Sequence, residues 1–121
     1  MALPVTHPLD EVVMATTAAS VANGVFGVMR APFRGKITEV GTMIGSAVTT
    51  ADATVTTTIA GTAITGGSFV ITQSSSAAGD LDSANPTAAN ICQEGNLIRF
   101  AFTGSGTAGG HVYCYAVIRR A

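Results

Sequence analysis

Leu97-Ile98-Arg99-Phe100-Ala101-Phe102-Thr103 sets Ile98, Phe100 and Phe102 on one side of an extended chain. His111-Val112-Tyr113-Cys114-Tyr115-Ala116-Val117-Ile118-Arg119 does the same with Val112, Cys114, Ala116 and Ile118. Successive side chains of a strand point to opposite faces, so this period of two predicts two β-strands and excludes helices at 3.6 residues per turn. The second stretch is apolar on its other side as well, through Tyr113, Tyr115 and Val117. That predicts a central strand, or one whose outer face is covered by a neighbouring subunit.

The same period extends outward from these two stretches. Residues 53–59 alternate Val55 and Ile59 with Thr54, Thr56 and Thr58, as a half-buried antiparallel strand does. Phe69 and Ile71 share a face in residues 68–73, after a turn expected at Gly66-Gly67. In residues 36–44, Ile37 falls in one phase and Val40 and Ile44 in the other, which predicts a bulge, placed near Gly41. Val25, Phe26 and Val28 open a strand that Pro32 terminates. Residues 12–17 suit one more strand. Residues 74–90, rich in Ser, Ala, Asp and Asn, read as a long loop in which Asn85-Pro86 caps a helical turn. Seven or eight short strands with no amphipathic helix predict an all-β antiparallel sandwich or barrel. Residues 1–23 are set apart as an N-terminal arm or edge strand, and residues 24–121 as the β domain.

Composition narrows the function classes. The 121 residues are 47% hydrophobic and 11% charged, with six Lys and Arg against seven Asp and Glu. Too few cations are present for a broad phosphate-binding face, so nucleic acid is not an expected partner. The mean hydropathy is +0.44, yet no apolar run nears the roughly 20 residues of a spanning helix, so no membrane partner is expected either. The first basic residue is Arg30, so a secretory leader is not expected and the chain should remain where it is made. Cys92 and Cys114 read as small buried hydrophobes. A surface of Thr, Ala, Ser and Gly gains little solubility from charge, which points to a protein that works inside an assembly.

Little in the sequence carries chemistry. Gly104-Ser105-Gly106-Thr107-Ala108-Gly109 matches a phosphate-cradling glycine pattern but leads into a strand instead of a helix. Asp80-Leu81-Asp82 starts like a calcium loop and then lacks the following glycine and the bidentate Glu. His7 and His111 stand without neighbouring ligands at metal spacing, and pairing His111 with Cys92 as base and nucleophile would rest on folding alone. No catalytic residue, metal or cofactor is therefore expected. Arg30, Arg34 and Lys36 form the one basic cluster apparent in the sequence, suited to an acidic partner surface.

Gly35-Lys36-Ile37-Thr38, the run through Val48-Thr49-Thr50-Ala51-Asp52-Ala53-Thr54-Val55, Ile59-Ala60-Gly61-Thr62-Ala63-Ile64-Thr65-Gly66-Gly67, and Ser75-Ser76-Ala77-Ala78-Gly79-Asp80-Leu81-Asp82 with Pro86-Thr87-Ala88-Ala89-Asn90 together resemble the small capsid decoration, or cement, proteins of tailed bacteriophages. The resemblance spans about residues 25–103. It implies a jelly-roll-like β-sandwich, a homotrimer, and a place on the outer surface of the virion capsid, bound to the major capsid protein after synthesis in the host cytoplasm. Under this reading Tyr113, Tyr115 and Val117 make the trimer contact. Val5, Val12 and Val13 of the N-terminal segment, with Arg30, Arg34 and Lys36, contact the capsid. The alternatives are a tail or fibre module that binds host carbohydrate, and a small enzyme.

Overall fold

The computed structural model describes residues 11–104, 107–108 and 111–121. Eleven strands run β1 (Glu11–Ala18), β2 (Phe26–Arg30), β3 (Gly35–Ile44), β4 (Val48–Thr49), β5 (Ala53–Ile59), β6 (Thr62–Ile71), β7 (Leu81–Ala84), β8 (Ile91–Cys92), β9 (Leu97–Gly104), β10 (Thr107–Ala108) and β11 (Val112–Arg120). All pairings are antiparallel. One sheet has the order β1-β11-β3-β7, with β8 also on β3, and the facing sheet has the order β2-β9-β5-β6. A two-residue pair, β4 with β10, caps one end. The result is an antiparallel, jelly-roll-like β-sandwich.

The core is the set of inward positions that alternation predicts. Val55, Ile59, Phe69, Ile71, Ile98, Phe100 and Phe102 from the second sheet meet Val112, Cys114, Ala116 and Ile118 from the first, all buried. Strand β11 is central, between β1 and β3. Both cysteines are buried and unbridged, and burial pushes the Cys114 thiol up to about 12.

The bulge lies at Thr38, not at Gly41. Val117 pairs with Glu39 and Ile118 with Ile37, so Thr38 is the extra residue. One inserted residue flips the side-chain phase, which is how Ile37, Val40 and Ile44 all reach the core. Asn90, itself buried, holds this place: its side-chain amide donates to the Ile37 carbonyl at 2.7 Å, and its own carbonyl accepts from the Ile37 N–H at 2.8 Å.

Two further expectations are corrected. The Gly66-Gly67 turn is an irregularity inside the continuous strand β6, where the partner of Thr58 is Ala63 and that of Thr56 is Ser68. The helical turn at Asn85-Pro86 is absent. Pro86 is buried, Thr65 bridges to Ala88, and residues 81–84 form β7 on the edge of β3. An edge strand need present no strict apolar alternation, so Leu81-Asp82-Ser83-Ala84 carries no pattern of its own.

Candidate functional site

The outer face of the first sheet carries a cluster of exposed apolar side chains. Cross-strand register sets its rows: Thr17, Tyr113, Met43 and Leu81 in one, Ala15, Tyr115, Gly41 and Ser83 in the next, then Val13, Val117 and Glu39. Val13 is 62% exposed, Leu81 58%, Tyr113 55% and Met43 43%, so this face meets solvent with large apolar side chains. The three residues of the expected trimer contact stand here together. Tyr113 is exposed, while Tyr115 and Val117 are half-buried.

Tyr115 is held down by its neighbours. A Cβ built on Gly41 would stand 2.5 Å from the Tyr115 ring and hydroxyl, so the ring lies across the space that a side chain at position 41 would fill. Its hydroxyl donates to the Glu39 carboxylate. Burial first, and then the bond to Glu39, push the Tyr115 hydroxyl up to about 12. The middle of this face is thus a fixed aromatic plate, with exposed apolar side chains on either side of it.

The cations gather at one end of the sandwich. Arg30 closes β2, Arg34 and Lys36 flank the start of β3, and Arg119 and Arg120 close β11. All five are exposed. Arg119 pairs with Glu11 at 3.3 Å, and the Arg120 guanidinium sits 4.3 Å above the Phe33 ring. Sequence reasoning found Arg30, Arg34 and Lys36 but missed Arg119 and Arg120. The antiparallel register Arg119 to Lys36 and Arg120 to Gly35 brings those two in from about 80 residues away.

The expected N-terminal contacts divide. Val13 points outward, Val12 packs against the core, and Val5 lies outside the described residues. His7 and most of the glycine-rich stretch after Gly104 also lie outside them. His111 stands beside Gly45, which donates to its carbonyl at 2.9 Å at the end opposite Cys92, so the two never meet as base and nucleophile. Asp80 accepts the Ala77 N–H at 2.9 Å, the work of a turn residue. Among the described residues no group of three His, Cys, Asp or Glu is placed to hold a metal, and no helix is long and apolar enough to cross a membrane.

On the second sheet's outer face Arg99 lies over the Phe26 ring at 4.1 Å. Beside it Thr58, Gly61, Leu97, Arg99 and Ala101 line a shallow depression of about 320 Å³.

No protein-family model and no curated protein sequence matches the chain. Solved structures do match in fold. A family 35 carbohydrate-binding module from Clostridium thermocellum superposes with a TM-score of 0.58 at 16% identity, covering 92% of this chain and 98% of that one. A variant of the catalytic domain of a GH87 α-1,3-glucanase in complex with tetrasaccharides gives 0.54 at 10% identity. Here 92% of the chain is covered, but it spans only 28% of that protein. At these identities the likeness establishes the β-sandwich, and neither protein is a capsid component.

Proposed function

We propose that this chain is a non-catalytic structural protein of a virion, a decoration protein that docks on the outer surface of a phage capsid and stabilises the expanded shell. The observation that carries this reading is the exposed apolar cluster on the outer face of β1, β11, β3 and β7. Val13, Val117, Met43 and Leu81 are apolar, the exposed Tyr113 ring stands among them, and apolar surface gathered in this way marks a protein contact. The sequence resemblance over residues 25–103 is the support for the proposed partner, the major capsid protein, and for the proposed homotrimer. A trimer holds a lattice well because one formed contact presents the others at high effective concentration.

The test is to add the purified protein to expanded shells that lack it, then measure co-sedimentation and resistance to heat. Binding that raises shell stability, together with a trimer by light scattering that Val117→Arg dissociates, is the expected result. A monomer that leaves shells undecorated overturns it.

A second reading is a carbohydrate-binding module of a tail or fibre. The fold comparison favours it, since the Clostridium thermocellum carbohydrate-binding module is matched over almost its whole length. The depression around Arg99, with the Thr58 hydroxyl and the Leu97 side chain, offers donors and an apolar floor. A glycan array giving a hit that Arg99→Ala abolishes would put this reading first.

A further inference from the structure

We propose that the basic end of the sandwich is a docking surface for an acidic protein surface. Chain composition hides this end. Overall the sequence is nearly neutral, at a net charge of −1. Folding sorts the charges: among the described residues, Arg30, Arg34, Lys36, Arg119 and Arg120 stand with two acidic side chains, Glu11 and Glu94, a local side-chain excess of +3. The remaining described charges, Arg99 against Glu39, Asp52, Asp80 and Asp82, leave −3 elsewhere, with the three aspartates towards the opposite end.

The surface is also built rather than merely charged. Ala31 donates to the Asn96 carbonyl at 2.8 Å and Gly95 to the Ala31 carbonyl at 2.9 Å, which ties the Arg30–Arg34 connection to the turn after β8. Ala121 donates to the Arg34 carbonyl at 3.2 Å, tying the end of β11 to the same connection. Phe33 supports Arg120 from below, and Arg30 lies along the turn at Gly95. Guanidinium groups fixed in this way lose little freedom when a carboxylate takes them, and their planar donors match it in pairs.

Protein is favoured over nucleic acid for two reasons. An excess of three charges falls short of the six to ten phosphate contacts, roughly, of a tight backbone binder. Exposed Ile91 and Leu97 also stand beside the cations, and arginine mixed with apolar side chains is the composition of a protein interface. The inference concerns the chemistry of the partner and stands apart from whether that partner is a viral shell.

The experiment uses the full chain against a sensor coated with poly-L-glutamate, at low ionic strength and again near 0.3 M salt, with a DNA duplex as the second probe. Expected are capture by poly-glutamate that salt weakens, a loss of roughly tenfold or more in the combined Arg30→Gln, Arg34→Gln, Lys36→Gln variant, and no loss in Val70→Gln, an exposed position on β6 away from the basic end. All three substituted side chains are exposed, and an unchanged melting temperature will show that the variant folds. Equal capture of variant and parent, no capture of the parent, or tighter capture of DNA than of poly-glutamate would each overturn the proposal. A chain that binds poly-glutamate through these residues yet ignores shells refutes the virion reading alone.

Discussion

Replacing Gly41 with alanine tests the aromatic plate on the outer face. In isolation the change should help a strand, because glycine loses more chain entropy on folding, and the gain is about 0.5–1 kcal/mol. Here the new Cβ arrives 2.5 Å from the Tyr115 ring, well inside contact distance, and the ring must swing away. That motion gives up the hydrogen bond to the Glu39 carboxylate, about 1.5–3 kcal/mol for a charged acceptor, and part of the ring's packing. The balance is a loss of about 1–2 kcal/mol, or roughly 4–8 °C in melting temperature for a domain of this size. Calorimetry of Gly41→Ala alone and in a Tyr115→Ala background separates the terms, since in the second the alanine has nothing to displace and should stabilise. Equal shifts in the two backgrounds would show that the ring does not lie over position 41.

Three further outcomes are expected. Truncating Phe100 to alanine at the centre of the core should cost about 3–5 kcal/mol in denaturant unfolding, with a smaller cost for any outward residue of the same strand. The Thr57 hydroxyl is buried with no partner among the described residues, so Thr57→Val should be neutral or stabilise by about 1 kcal/mol, measured in the same way. Tyr115 ionises late, at about 12 against an ordinary value of 10.0. Its contribution to stability is therefore whole below about pH 10 and lost as pH rises towards 12, and ultraviolet titration of wild type and Tyr115→Phe should show the high-pH phenolate step vanish in the variant.

The strands with one buried and one solvated face were legible in the sequence, because burial writes itself as alternation. Residues 53–59, 97–103 and 112–118 are the plain cases. Position 38 was not: a change of phase between Ile37 and Val40 requires an inserted residue, but any of the intervening ones satisfies the pattern, and only pairing with β11 chooses Thr38. Residues 81–84 escaped notice because an edge strand with little to bury writes no period. The site divides along the same line. Tyr113, Tyr115 and Val117 stood out through one strand's own pattern. Gly41 beneath Tyr115, and the meeting of Arg119 and Arg120 with Lys36, depend on register between strands far apart in the chain, which no local pattern encodes.

Glu11 lies opposite Arg119, and Ala18 opposite Val112, so the first strand hydrogen-bonds to the last. During synthesis β1 emerges early and waits for nearly the whole chain before its partner exists. Until then its backbone donors and acceptors along the β11 edge remain unmatched, and its inward Val12, Met14 and Ala18 lack their cover. The first sheet therefore cannot close before residues 112–120, its central strand, have been made. Loop closure over this span places folding in the slow range of β-sandwiches, on the order of milliseconds to seconds, and makes the nascent edge the point where premature pairing between neighbouring chains competes with correct closure.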